Sequence, residues 1–322
     1  LLTGQPRLVA NPLTGRNEPL RLNRTYGCNT IIASEHLLTY RSGAAGYYDL
    51  DTMSGTGNLG GFKSGCTSNL VVANGVLNAP DYTRTCSCAY QNQTSLALIH
   101  MPEMEMWTYS QFGIDGNQGD RVLRAGINFG APGSRRAPDG TLWLEHPASS
   151  DGNSPRIGVE GPAIPATYYQ RHSSRVKDGG SGTSWIGASG MAGAGEIIIT
   201  PSLRRPLPWQ DTKSTPAAAP PRQEALLKVD FPPLPHTIRL YFSEPETLPP
   251  GSRRFEVRLQ GKTVLKDFDI AREATADAAM VIKEFADIPV GAELRIELVP
   301  ASGSSHPPVL GGVEFIARPQ AP

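Results

Sequence analysis

Near the C-terminus, apolar and polar side chains alternate one for one. In His236-Thr-Ile-Arg-Leu-Tyr-Phe-Ser-Glu244, Ile238, Leu240 and Phe242 fall on one face. In Phe255-Glu-Val-Arg-Leu259, Phe255, Val257 and Leu259 do the same, and Gln260-Gly261-Lys262 supplies a hairpin turn. Glu293-Leu-Arg-Ile-Glu-Leu298 and Gly312-Val-Glu-Phe-Ile-Ala317 repeat the pattern. A period of two with one apolar face is the signature of a half-buried antiparallel strand. Several such faces are buried together only by packing against a second sheet, so a β-sandwich is the expected fold. One segment departs from the pattern: Ala271–Ala279 has helical propensity, and a short helix or turn is expected before Val281-Ile-Lys-Glu-Phe285 resumes as a strand.

The rest of the chain agrees with an all-β class. Gly (34) and Pro (29) are abundant among 322 residues, and both break helices. Short apolar runs separated by turn residues continue through the first third, at Thr30–Ser34, His36–Arg41, Gly46–Asp51, Asn69–Ala73, Gly75–Ala79 and Thr94–His100. That rhythm suits a sandwich, barrel or propeller. Arg121–Gly130, Gly140–Pro147 and Glu196–Thr200 are further strand candidates. Residues 204–224, rich in Pro, Ala and Ser, read as a solvated insertion. No apolar run is long enough to span a bilayer. Thirty basic residues balance thirty acidic ones, which gives no reason to expect nucleic acid as a partner.

Ser54-Gly-Thr-Gly-Asn-Leu-Gly-Gly61 contains G-x-G-x-x-G, the phosphate cradle of dinucleotide-binding folds. That chemistry needs a helix opening directly after the glycines, and Gly61-Phe-Lys-Ser-Gly-Cys66 has no helical periodicity. The glycines are therefore expected to serve turns between strands. Cys28, Cys66, Cys86 and Cys88 match no zinc spacing. Two disulfides are expected, with Cys28 and Cys66 each bound to one of Cys86 and Cys88, an arrangement that belongs outside the cytoplasm. No metal site is expected.

Two stretches carry family resemblances. "LLTYRSGAAGYYDLDTMSG", with "SGCTSNLVVANGVLNAPDYTRTCSCAYQNQTSLAL" after it, resembles the terminal blades of a quinoprotein-like β-propeller. A blade takes about 40–45 residues and a closed ring at least four blades, so residues 1–121 hold three at most. The resemblance therefore implies the C-terminal part of a longer protein, with the missing N-terminal blades as its partner. Quinone-using members carry adjacent cysteines and acidic metal ligands, whereas this chain has Cys86-Ser-Cys88, so no cofactor is expected. "HTIRLYFSEPE", "RRFEVRLQGKTVLKDFDIAREA", "VIKEFADIPVGAELRIELVPASG" and "PVLGGVEFI" resemble the malectin family, with "LRAGINFG" as its opening strand. That likeness implies a jelly-roll-like sandwich over residues 122–322 and glycan binding at a loop-rimmed pocket.

A sugar site needs a flat aromatic ring beside convergent polar groups. The candidates are Trp185, Tyr168, Tyr169, Trp143, Tyr241 and Asp269. Trp185, in Gly182-Thr-Ser-Trp-Ile-Gly187, reads as a loop–strand junction. Tyr168 and Tyr169 are adjacent, so on a strand they face opposite ways and at most one is a platform. Asp269 also suits a turn cap. His100 and His172 have no partner at metal-ligand spacing. The acidic pairs Glu103/Glu105 and Glu244/Glu246 would serve glycoside hydrolysis only at a defined separation in space. The expected function is a non-catalytic, extracytoplasmic carbohydrate-binding module on a propeller scaffold. The alternatives are an accessory part of a larger propeller enzyme, either quinone-dependent or polysaccharide-active, and a protein–protein scaffold.

Overall fold

The structure, a computed structural model, describes residues 4–22, 24, 26–59, 62, 70–80, 95–101, 105, 107, 117, 119–148, 156–204, 229–277 and 279–318. It is nearly all-β, with 49% strand against 5% helix. The chain forms two compact units. The first comprises Leu1–Ala10, Asn17–Asp115 and Gly133–Gly140. The second comprises Asn11–Arg16, Gly116–Pro132 and Thr141–Pro322.

In the first unit, β1 (Leu8–Ala10) pairs antiparallel with β2 (Asn17–Pro19). Four antiparallel strands follow in the order β3 (Ile32–Ala33), β4 (Leu37–Ser42), β5 (Ala44–Asp49) and β6 (Thr56–Asn58). A further three-stranded sheet contains β7 (Val71–Ala73), β8 (Val76–Ala79) and β9 (Leu96–Ile99). Its small core is Ala45, Leu70 and Ala79, with Leu59, Phe62, Leu77 and Leu96 packed on it. No closed ring of blades forms among the described residues. Gly57 of the G-x-G-x-x-G stretch lies in strand β6, and the Tyr47 ring occupies the space that a Cβ would need there. Gly57 therefore serves a strand, and Gly55, at a φ of 86°, lies in the loop before it as expected of a turn glycine; Gly60 and Gly61 lie outside the described residues. The disulfide expectation gains no support: Cys28 is a free, exposed thiol 3.3 Å from the Tyr26 hydroxyl. Cys66, Cys86 and Cys88 lie outside the described residues, as does most of the 204–224 insertion.

The second unit is a sandwich. One sheet runs β12 (Leu142–His146), β10 (Arg124–Phe129), β23 (Gly312–Ala317), β17 (Leu234–Ser243), β20 (Met280–Val290). Only the β10–β12 pair in this run is parallel. The facing sheet runs β13 (Arg156–Glu160), β16 (Gly195–Arg204), β21 (Leu294–Pro300), β18 (Phe255–Leu259), β19 (Lys262–Phe268), all antiparallel. Ile238, Leu240 and Phe242 are fully buried, and so are Phe255, Val257 and Leu259 on the facing sheet. Phe242 meets Phe268 across the core, at 4.8 Å between ring centroids, and Phe255 at 5.9 Å. The expected hairpin turn forms between β18 and β19, but with two residues, Gln260 (φ 50°) and Gly261 (φ 77°), since Lys262 already belongs to β19. The strip β11 (Arg135–Arg136) belongs to the first unit.

A third, smaller layer had no counterpart in the sequence reading. β14 (Thr167–Gln170), β15 (Ser189–Ala192) and β22 (Val309–Leu310) form a three-stranded antiparallel sheet. A single helical turn, α1 (Ser184–Gly187), precedes β15 and packs near β17. The Asp178 carboxylate accepts from the Thr183 and Ser184 amides, each at 2.8 Å, and so fixes the start of that turn. The other helical turn, α2 (Ile270–Glu273), falls where helical propensity was expected.

Candidate functional site

The outward face of the first sheet carries most of the candidate residues. By the alternation of the strands, Arg124, Gly126 and Asn128 of β10 project there with Gly312 and Glu314 of β23 and Arg239, Tyr241 and Ser243 of β17. Trp143 of β12 stands over Gly126. A Cβ on Gly126 would fall 2.1 Å from the indole, and one on Gly312 would fall 2.8 Å from it. The Trp143 ring meets Trp185 of α1 edge-on at 5.8 Å and Tyr241 at 5.1 Å. All three are buried, at 2% for Trp143, 3% for Trp185 and 6% for Tyr241. They form an aromatic wall between the sheet and α1 rather than an exposed plane. Where the sequence predicts a loop–strand junction at Trp185, the structure has a helical turn whose apolar side closes over the sheet.

Below this wall lies a buried carboxylate that sequence reading passed over. Glu314 accepts from the Thr141 hydroxyl at 2.6 Å, from Arg239 Nη1 at 3.1 Å and from the Tyr241 hydroxyl at 3.2 Å. Arg124 Nη2 stands 3.6 Å away. In the sequence Glu314 occupies the polar phase of an alternating strand, which is also how a solvent-facing residue looks.

The two adjacent tyrosines face opposite ways, as their spacing requires. Tyr169 turns inward, lies over Gly190 and donates to the Ser243 carbonyl at 3.3 Å. Burial, above all, raises its phenol well beyond the usual range. Arg171 follows on the same side and donates to Ser243 Oγ at 2.6 Å, with its buried Nε unpaired. Tyr168 faces out at 39% exposure, its ring 6.0 Å from that of His146. Gln170 and His172 share its side and are exposed. The His172 ring nitrogen Nδ1 accepts from the Ser174 amide at 3.2 Å, which leaves Nε2–H outward as a donor. Tyr168 and Gln170 thus present an aromatic plane and an amide on β14, whose outer edge has no partner strand among the described residues, and the exposed His172 follows two residues past the strand's end. Gln170 and His172 were not singled out from the sequence as site residues. The signal that finds them is their phase with Tyr168.

Asp269 lies apart from this group. It caps α2 by accepting from the Ala271 amide at 3.1 Å and holds the Gly251 amide at 2.5 Å. Glu244 and Glu246 both hold the buried Arg253, through contacts of 3.0–3.1 Å. Glu103 lies outside the described residues. Among the described residues no His, Cys, Asp and Glu group is placed to hold a metal, and no helix is long and apolar enough to cross a membrane.

Burial pushes His146 down to about 4. Its folded value lies below the ordinary 6.5, so the unfolded chain takes up the proton first. Stability is whole above about pH 6.5 and falls as the pH drops towards 4. The expected loss from this residue at pH 5 is about 1–2 kcal/mol. Urea midpoints compared at pH 7 and pH 5 should show it, and His146→Gln should flatten that part of the slope.

Residues 236–299 match the family model of the malectin domain. The matched segment runs from β17 through most of β21 and supplies Arg239, Tyr241 and Ser243 to the face just described. No curated protein sequence matches the chain. Similar solved structures include a β-glucuronidase of Bacteroides uniformis, at 12% identity and a TM-score of 0.40, over 61% of this chain and 18% of that one. The plant receptor-like kinase FER is similar at 20% identity and a TM-score of 0.36, over 61% of this chain and 42% of that one. The plant receptor-like kinase ANX2 is similar at 15% identity and a TM-score of 0.41, over 69% and 56%. The chain spans less than two thirds of the length of each of these proteins.

Proposed function

We propose that this chain is a non-catalytic carbohydrate-binding module that works outside the cytoplasm. Residues 122–322 hold the glycan, and residues 1–121 are the last blades of a quinoprotein-like propeller completed by other sequence. The observation that carries the reading is the malectin-domain match at residues 236–299. The geometry that supports it is the exposed group on and just after β14. Tyr168 offers a flat π face to the C–H side of a pyranose, and Gln170 and His172 offer donors and acceptors to its hydroxyls. Tyr169, Trp143, Trp185 and Tyr241 serve as the rigid backing, since preorganised groups lose less freedom on binding. Asp269 ties the turn at Gly251 to the start of α2.

The test is calorimetry on the whole chain against a panel of neutral and acidic oligosaccharides. Tyr168→Ala should weaken binding about tenfold, the loss of one stacking contact of roughly 1.4 kcal/mol, with the unfolding midpoint unchanged. Absence of binding to every oligosaccharide would sink the proposal and leave a protein–protein scaffold as the better reading.

A further inference from the structure

Tyr168 has a ring contact of its own, apart from the aromatic wall. It meets the His146 imidazole at 6.0 Å between centroids and 64° between planes, and His146 meets Phe129 at 5.7 Å and 84°. The second contact follows from the parallel β10–β12 pairing, which sets Phe129 and His146 directly opposite each other. Just beyond, the Gly130 amide donates to the His146 carbonyl at 2.7 Å. Gly130 also lets β14 come close: a Cβ there would fall 2.7 Å from the Tyr169 carbonyl oxygen and 3.0 Å from that of Gly190. Phe129 is 1% exposed, His146 half-buried and Tyr168 exposed, so the three rings run from the core to the surface. Edge-on contacts at these separations favour one ring orientation over others. Few charges face the imidazole. β10 turns the neutral Phe129 to it, while Glu145 of its own strand points to the opposite face, towards Asn128. On β14, Arg171 turns inward with Tyr169. That leaves the Tyr168 phenol, which burial raises, and His172 past the strand's end.

We infer that His146 is the positioning residue of the Tyr168 platform, and that a proton taken up by its imidazole frees the Tyr168 ring and releases the bound sugar. This rests on the carbohydrate-binding reading above. The neutral imidazole packs between two rings as an apolar plate. An imidazolium in the same place gives up hydration without gaining a counter-ion, so it turns towards water and takes its contact with Tyr168 away. Burial pushes His146 down to about 4, so the platform is whole at neutral pH and fails in acid. The apparent affinity then follows the fraction of chains with the ring in place.

The experiment uses the whole chain, its tyrosine rings isotope-labelled for NMR, with Tyr168 assigned from the signal lost in Tyr168→Phe. The sugar probes are cellohexaose and mannohexaose, neutral at every pH used. Without sugar, the Tyr168 ring signal should titrate with a midpoint near pH 4 and stay flat in His146→Phe, which keeps a ring in place. By calorimetry the parent should bind about twofold more weakly at pH 4 than at pH 7, and about tenfold more weakly at pH 3. His146→Phe should match the parent at pH 7 and keep that affinity in acid, whereas His146→Ala should bind more weakly already at pH 7. A Tyr168 signal that does not titrate, or that moves only as the amide spectrum of the whole unit collapses, overturns the inference. So does a titration that persists in His146→Phe, which would assign it to His172. Sugar binding indifferent to pH also overturns it and leaves the module reading intact. Binding of neither sugar overturns the release step together with that reading, with the Tyr168 titration still deciding the positioning. The parent's titration needs no variant, so it decides the matter even if His146→Phe folds poorly.

Discussion

Replacing Glu314 by alanine is expected to destabilise the second unit by about 3–5 kcal/mol, read from its urea-unfolding midpoint by tryptophan fluorescence. The side chain is 1% exposed and lies centrally on the outward face of the first sheet. Its partners come from β10 (Arg124), from β17 (Arg239 and Tyr241) and from Thr141, directly before β12. One carboxylate thus ties together every strand from β12 to β17. Alanine removes the anion and leaves two guanidinium groups and two hydroxyls without this acceptor in a partly desolvated place. Arg239 keeps Glu284, but that carboxylate is 51% exposed and its attraction is weakened by solvent. Glu314→Gln keeps the volume and one acceptor oxygen while turning an N–H₂ towards donors, so a smaller loss of about 1–3 kcal/mol is expected. A cycle with Arg239→Ala should return a coupling of about 0.5–3 kcal/mol, because the two side chains touch. A loss under about 1 kcal/mol for alanine would mean that the network does not stabilise the sheet.

Glu314 also marks what sequence could and could not disclose. Alternation reported which residues face the neighbouring sheet: Ile238, Leu240, Phe242, Phe255, Val257, Leu259, Leu294, Ile296 and Leu298 are buried as their phase requires. The positive-φ pair Gln260-Gly261 marked the hairpin, and the Asp269 cap was legible from its turn chemistry. Alternation says nothing about whether the opposite face is covered in turn. Trp143, Tyr241 and Glu314 all sit on that opposite face, and what buries the aromatic part of it is α1, from a Gly-rich stretch with no usable periodicity. The parallel β10–β12 pairing was equally hidden, since a strand's composition does not encode its partner's direction. For the candidate site, the opposed orientation of Tyr168 and Tyr169 followed from spacing alone. The burial of Trp185 did not, because four residues of helix are too few to show a period.

Trp143→Ala is expected to cost about 3–5 kcal/mol, as for other buried tryptophans, and to do so in a way that exposes how the wall is built. The indole is 2% exposed and touches two further aromatic rings at near-perpendicular angles of 86° and 88°, the edge-to-face geometry that ring quadrupoles favour. It fits there because its neighbours beneath are Gly126 and Gly312, neither of which has a side chain. The glycines are thus required by the ring and not by backbone conformation, since neither has a positive φ. Gly126→Ala alone places a methyl group inside the indole's volume and should cost about 1–3 kcal/mol by overpacking. In the double variant the alanine methyl at 126 enters the space the indole has left, so the combined loss should fall short of the sum by about 0.5 kcal/mol or more. Strict additivity in urea unfolding would show that the two residues do not share one volume, and the account of the wall would fail. The same pair reports on function. If the wall is the rigid backing of the exposed group, Trp143→Ala should weaken glycan binding at Tyr168 without touching the ligand, and a glycan affinity equal to that of the parent chain would separate the aromatic cluster from the binding face altogether.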